Sequence, residues 1–420
     1  MVQKHYDYAN TPLIDYHSTV KHKILRDYIK QYVATLTQNI KIDSFKIAIV
    51  DGFAGSGRYT AGWDSSKIVY GSPFTILEAC QDAQRDAQSI RHKPFKLDAK
   101  FYFVEKDSDG FNTLKQTLID KGYSDRINNN QDIWLFHDYF ENKVRGIIDD
   151  IKHRSKRARS LFLLDQYGYS EVPRDLIKYI FNELPGAEIL LTFHVDSLLK
   201  FLNEKNLKNF HKKTGFSITH LLDSGLHDKN TRPEEWRLAA QAILHQDLIR
   251  DCLPNAAGHH TTFYIRGING LGDYWLVHLS RNITARNVMV DIHWTHGNHF
   301  VHYGGAGLDM YSLRGYNTNT TADMYGFCKD AKALTLNTLQ CQLPKLIHDH
   351  YTQGISFKRL ITEQANYTPA TEKFIRETFC TPEIRADILI VSKNGKIKSR
   401  SGLPKDTDLI IPKPQKSLFI

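Results

Sequence analysis

The run Ile47-Ala48-Ile49-Val50-Asp51-Gly52-Phe53-Ala54-Gly55-Ser56-Gly57-Arg58-Tyr59 constrains the chain more than any other. Its apolar, mostly β-branched half reads as a buried strand. The strand ends on an acid and enters a loop carrying Gly52, Gly55 and Gly57. Glycine lets the backbone turn sharply and approach a ligand closely. Such a strand–loop junction lies at the carboxyl edge of a parallel sheet, where open α/β sheets bind their ligands.

Two other glycine motifs compete for this loop. Gly52 and Gly57 stand at P-loop spacing, but Arg58-Tyr59 occupies the place of the lysine and small hydroxyl that hold phosphate and magnesium. The Gly-x-Gly-x-x-Gly fingerprint fails as well, because Thr60 stands where its third glycine belongs. A purely structural turn after a core strand is the remaining alternative.

The strand-then-acid pattern recurs. Phe101-Tyr102-Phe103-Val104 leads to Glu105, Ile133-Trp134-Leu135-Phe136 to His137-Asp138, Leu161-Phe162-Leu163-Leu164 to Asp165, and Ile189-Leu190-Leu191-Thr192-Phe193 to His194. Helical patterns separate these runs, as a doubly wound parallel sheet requires. An amphipathic helix over 18–36, capped by Ser18 or Thr19, precedes the sheet, and another follows Gly71-Ser72-Pro73 from about Phe74. Thr261–Gly267 and Tyr274–Leu279 read as a closing antiparallel hairpin, which leaves about 196–258 as a helical insertion.

The chain has 420 residues, enough for two domains, with boundaries expected at 1–310 and 311–420. No apolar run is long enough to cross a bilayer, and the first residues lack a hydrophobic signal region, so a cytoplasmic location is expected. Five cysteines, scattered and without Cys-x-x-Cys spacing, speak against a disulfide framework or a zinc ribbon. A net charge of +9 favours a polyanionic partner, nucleic acid first.

In the last region, Ser356–Gln364 and a segment from Thr368-Pro369 read as two short helices, followed by an Asn394-Gly395 hairpin. Helix, helix, basic hairpin is the order of a winged helix. Lys393, Lys396, Lys398 and Arg400 would give it a phosphate-contacting surface, although such modules also dock proteins. The basic run Lys152–Arg159 reads as a solvated helix end or an extension of that surface. His293, His296, His299 and His302 stand three apart, but Gly297-Asn298 prevents one helical face from carrying all four. A solvated or nucleic-acid-facing loop, without metal, is expected there.

Taken in order, Lys21-His22-Lys23-Ile24-Leu25, Asp51 to Tyr59, Gly71-Ser72-Pro73, Phe103-Val104-Glu105 and Leu164-Asp165-Gln166-Tyr167-Gly168-Tyr169 resemble the three-Cys-motif partner family, TcmP, over roughly the first 300 residues. The resemblance implies a Rossmann-like class I methyltransferase fold binding S-adenosylmethionine (SAM). It implies a winged-helix-like tail and a radical-SAM-type partner with three cysteines encoded nearby. The glycine loop also resembles the Asp-Pro-Phe-x-Gly-Ser-Gly motif of base amino-methyltransferases, with Gly52 in place of the proline.

Under this reading Asp51, Phe53, Gly55, Gly57, Glu105 and Asp138 bind the cofactor, Glu105 on the ribose hydroxyls and Asp138 toward the adenine amine. Asp165, Tyr167 and Tyr169 are the catalytic candidates, matching an Asp-Pro-Pro-Tyr segment that accepts hydrogen bonds from a target amine and stacks on its base. Gln166 departs from that segment. The expected function is SAM-dependent methylation of nucleic acid, at a base amino group, in a phage-defence or mobile-element setting. The alternative is a non-catalytic SAM-fold scaffold that recruits nucleic acid or a partner enzyme.

Overall fold

The structure is a computed structural model that describes residues 11–14, 16–128, 131–154, 159–166, 171–193, 209, 211–215, 252, 258–265, 274–296, 301–303, 306–308, 324–326, 329–399 and 402–414. Its centre is a seven-stranded sheet. In chain order the strands are β1 (Ser44–Asp51), β2 (Lys96–Glu105), β3 (Ile133–His137), β4 (Arg159–Leu164), β5 (Ala187–Phe193), β6 (His259–Ile265) and β7 (Tyr274–Ser280). Their order across the sheet is β3-β2-β1-β4-β5-β7-β6. The first five are mutually parallel, and β7 runs antiparallel to both β5 and β6. This is the class I methyltransferase arrangement, a Rossmann-like sheet with one reversed strand inserted before its last. The expected closing hairpin is present, and its second strand is the inserted one.

Both faces of the sheet are covered, which is why its strands read as continuous apolar runs. Ala48, Val50, Phe162 and Leu164 pack with Val144 and Ile148 of the helix Phe140–Arg154, and with Ile177 and Phe181 of Arg174–Glu183. On the other face Ile47, Ile49, Leu161 and Leu163 meet Val20, Ile24 and Tyr28 of helix α1 (Tyr16–Leu36), Leu77 of the helix Ser72–Ser89, and Met289 of the helix Ile283–Thr295. Helix α1 begins two residues before the expected start, so Ser18 and Thr19 lie within it rather than capping it.

At the amino end of β5, Glu188 is buried on the α1 side. Tyr28 donates its hydroxyl to that carboxylate, and His278 Nε2 lies 3.0 Å from the Tyr28 hydroxyl and 3.2 Å from Glu188 Oε2. These contacts fix α1 against β5 and β7.

The C-terminal unit has its own core of Leu339, Leu343, Phe357, Leu360, Phe379, Ile388, Ile390 and Ile410. It runs as a long helix (Lys329–His350), a short strand (Ile355–Ser356), the helix Phe357–Gln364, two further short helices, and strands Ile388–Val391 and Leu409–Pro412. Leu409–Pro412 pairs antiparallel with both other strands. The Asn394-Gly395 turn is tight, with Gly395 at φ +75° and Ser392 N–H 2.9 Å from the Lys396 carbonyl.

Residues 368–370 do not start a helix as expected; the helix there is Glu372–Thr378, capped by Thr371. The reason is a competing set of bonds to their carbonyls. Fully buried Arg286 donates to Thr368 and Ala370, and Trp294 donates to Pro369 over 2.7 Å. Those bonds tie the C-terminal unit to the sheet domain.

The sequence gives no warning of the exposed hairpin Arg58–Ala61/Asp64–Tyr70, which joins Leu13–Ile14 in a small separate sheet. Most of the expected insertion at 196–258 lies outside the described residues, as does His194. No helix among the described residues is long and apolar enough to cross a membrane.

Candidate functional site

Sheet order alone places a crevice. The chain winds one way from β1 to β3 and the other way from β4, so the switch point lies between β1 and β4, outside their carboxyl ends. Asp51 pairs in register with Phe103 of β2 and Leu163 of β4. Glu105 and Asp165 each stand two residues beyond those partners, so three carboxylates from three strands meet on one edge.

The glycine loop stays anchored to this edge. Gly52 donates to the Leu163 carbonyl and Ala54 to that of Val104, both over 2.9 Å. Gly55 and Gly57 then adopt φ of +62° and +68°, a left-handed backbone that suits glycine. A Cβ at Gly55 would lie 2.2 Å from the Tyr59 hydroxyl, and one at Gly57 would lie 2.6 Å from Leu114. After the loop comes the Arg58–Tyr70 hairpin, with the next helix beginning only at Ser72. A P-loop passes directly into a helix whose N-terminus holds phosphate, so the topology excludes one as firmly as Arg58-Tyr59 does.

Glu105 braces the loop from β2. One carboxylate oxygen accepts from Gly55 N–H at 2.7 Å and the other from Asp107 N–H at 2.8 Å. Burial raises its pKa against the pull of those two bonds. Asp51 is fully buried, and burial pushes it up to about 7. The Ser72 hydroxyl and Phe53 N–H draw it down, while the charges of Asp165 and Glu105 add to the rise. Its Oδ1 accepts from Phe53 N–H at 3.2 Å, and its Oδ2 has no hydrogen-bond partner among the described residues. An orphaned acceptor in a buried acidic crevice is costly unless a donor arrives.

Asp138 lies beside Glu105, whose carbonyl accepts its N–H at 3.1 Å. Its own carboxylate serves the adjoining helix, accepting from Tyr139 N–H and Asn142 at 2.7 Å each and pairing with Lys143 at 3.0 Å. The Asn142 and Lys143 contacts hold it down at about 2. Phe53 packs at 6.1 Å from Phe140 below the loop.

Two residues that sequence reasoning did not assign to the site reach it from α1. Lys21 forms an ion pair with Asp165, the two side chains being 10% and 25% exposed. His22, beside them, is lowered to about 4 by burial and by Lys21, with Asp165 opposing. A basic pair seven residues, or about two helical turns, before the buried Tyr28 was the available signal. Gln166, at the proline position of the resembled segment, is buried, and its Oε1 accepts from Glu171 and Val172 N–H at 2.9 and 3.0 Å. Tyr167 and Tyr169 lie outside the described residues.

The other basic and imidazole groups stand elsewhere. Lys393 and Lys396 are exposed on the turn. Lys398 is occupied internally, 2.5 Å from Asp408 Oδ2 and 2.9 Å from the Leu403 carbonyl, which corrects its expected place on the phosphate-contacting surface. Arg400 lies outside the described residues. From the basic run, Lys152 pairs with Glu183 at 2.5 Å, and Arg154 reaches the Ile47 carbonyl at 3.0 Å, near the far end of the sheet.

His293 stacks on Phe263, with centroids 3.4 Å apart, and His296 bonds Asp27 at 2.7 Å, so both belong to a packed helix end rather than a solvated loop. His299 is outside the described residues, and His302 falls on the strand Val301–Tyr303. No group of three metal-ligating side chains occurs among the described residues.

No protein-family model matches the chain, and no curated protein matches it. Among solved structures it is similar to the protein LPL1258 from Legionella pneumophila, at 11% identity and a TM-score of 0.38, covering 68% of this chain and 93% of that one. An rRNA methylase from Streptococcus thermophilus aligns at 11% identity and a TM-score of 0.26, covering 61% and 92%. The N-terminal domain of human METTL16 in complex with SAH aligns at 10% identity and a TM-score of 0.25, covering 60% and 68%. The strand order and register establish the fold.

Proposed function

We propose that this chain is a SAM-dependent methyltransferase acting on a base amino group of nucleic acid. The observation that carries the reading is Asp51, a buried carboxylate with an orphaned oxygen, set among Glu105, Asp165 and a left-handed glycine loop. A ligand bearing an ammonium and a sulfonium offsets that concentration of negative charge, and the two glycines admit backbone contact with its carboxylate. When bound, SAM supplies an electrophilic methyl group.

In this reading Asp51 holds the ammonium end, Gly55 and Gly57 line the carboxylate, Glu105 accepts from the ribose, and Phe53 and Asp138 border the adenine. Asp165 orients the target amine, with Tyr167 and Tyr169 as stacking candidates. The winged-helix-like reading of residues 329–414 makes Lys393 and Lys396 the phosphate contacts. The TcmP resemblance adds a three-cysteine partner and a phage-defence setting; the motifs quoted above are its support.

Calorimetry with SAM on the full chain tests the cofactor. Binding is expected and should be lost in Gly55→Ala, whose Cβ meets the Tyr59 hydroxyl. No heat at millimolar SAM overturns the reading. A scaffold that binds SAM without transferring methyl is the second reading, favoured by Gln166 in place of proline. Transfer of labelled methyl to RNA or DNA separates the two.

A further inference from the structure

In the C-terminal unit, strands Ile388–Val391 and Leu409–Pro412 repeat the apolar run without alternation that marks the central sheet. Their inner face carries Ile388, Ile390 and Ile410, all buried in the unit's core. The other face is apolar too. Leu389 pairs with Ile411 and Val391 with Leu409, while Ile397 bridges to Val391 from the returning limb of the turn. Cross-strand partners share a face, so these five side chains form one strip. It stays open to solvent: Leu389, Val391 and Ile411 are half-buried, Ile397 is 57% exposed and Leu409 37%. A solvated antiparallel face ordinarily alternates to polar residues, and an open apolar strip marks an interaction surface.

The two ends of the strip carry opposite charge. Glu383 and Asp387, both exposed and one helical turn apart, stand where the strand Ile388–Val391 begins. Lys413, beside them on the ladder, turns its ammonium to the Arg385 carbonyl at 2.7 Å. At the far end the turn presents Lys393 and Lys396, both exposed.

We propose that this strip is the contact between two copies of the chain, laid face to face about a two-fold axis running across the strands. Such an axis turns each strand end for end. The apolar strips meet, and Glu383 and Asp387 of each copy face Lys393 and Lys396 of the other. Positions 387 and 393 lie equally far on either side of 390, so a single axis serves both ends. A two-fold along the strands would instead set like charges together. The contact is isologous and closes at two copies. Nucleic acid has a use for the lysines but none for an apolar strip that ends in acids. The proposal is independent of methyl transfer.

Sedimentation velocity on the nuclease-treated full chain, from low to high micromolar, tests it. The mean mass should rise toward twice that of the chain. Ile397→Glu and Leu409→Glu, both at exposed positions, should each weaken association about a hundredfold by burying an unpaired charge, with melting temperature kept. Reversing the acidic end (Glu383→Lys with Asp387→Lys) or the basic end (Lys393→Glu with Lys396→Glu) should abolish self-association. Mixing those two reversed chains should restore a one-to-one pair, because every facing charge is then opposite.

A chain that stays monomeric throughout overturns the proposal and leaves the strip to a different protein. Association that Ile397→Glu and Leu409→Glu leave intact overturns it as well. So does association that nuclease abolishes, which would make nucleic acid the occupant. Charge-reversed chains that fail to pair with each other, while both remain folded in thermal melts, would rule out the two-fold contact.

Discussion

The carboxyl edge of the central sheet and the C-terminal unit both bury charged groups, and they treat them in opposite ways. In residues 329–414 no buried side-chain polar atom lacks a partner, among the described residues. Arg385 is buried yet donates to the carbonyls of Phe379, Ser399 and Gly402 at 2.7, 3.0 and 2.8 Å. Burial acts to raise Asp408, but Lys398 and the Lys405 N–H hold it below the usual carboxylate range. At the sheet edge, Asp51 keeps an orphaned oxygen, and its carboxyl rises to about 7. Charges that satisfy one another specify a fold, whereas a charge left unsatisfied at a topological switch point is a provision for a ligand.

The strongest way to break this contrast is Asp51→Asn. A carboxyl with a raised native value keeps its proton in the folded chain where the unfolded chain has released it. The cost is therefore absent below 3.8, grows as pH rises to about 7 and is full above that, reaching about 4 kcal/mol. Asp51→Asn should lose SAM binding at least a hundredfold, while its ligand-free melting temperature at pH 8 rises above that of the parent and the gap narrows in acid. A variant that binds SAM normally, or is destabilised at pH 8, would make Asp51 structural. In the parent, SAM binding should also release a proton just below pH 7, where ligand-free Asp51 still holds it, seen as a buffer-dependent calorimetric heat.

Arg385→Met probes the other side. Three carbonyls lose a charged donor, so urea unfolding should report a loss of about 3 kcal/mol, with SAM affinity unchanged. A parallel loss of SAM binding would mean that the two regions are not energetically separable.

The sheet was legible because burial on both faces leaves a plain signature. Ile47–Val50, Leu161–Leu164 and Ile189–Leu191 are apolar without alternation, and acids follow the first two. The convergence of Asp51, Glu105 and Asp165 followed from that order. The hairpin Arg58–Tyr70 was not legible, since Asp64–Lys67 is exposed throughout and carries no alternation to read. Lys21 escaped because its partner lies so far away in sequence that no local pattern joins them. At Thr368-Pro369 a sound capping signal lost to tertiary bonds from Arg286 and Trp294. Lys398 read like its neighbours for the same reason: sequence shows a charge but not whether a buried Asp408 already holds it.

That last distinction gives the smallest and sharpest test. Lys393 and Lys396 are exposed, whereas Lys398 is paired with a carboxylate only 2% exposed. If the turn contacts phosphate, replacing Lys393 and Lys396 together by alanine should weaken nucleic-acid binding several-fold and flatten its salt dependence by about two in slope. Lys398→Met should leave that slope alone and lower the melting temperature, because it strands Asp408 in the core. Filter binding across a salt series, with a melt on each variant, separates the two behaviours. Equal flattening by Lys398→Met would show that the ion pair opens to reach phosphate, and the division between satisfied and waiting charges would no longer follow the two regions.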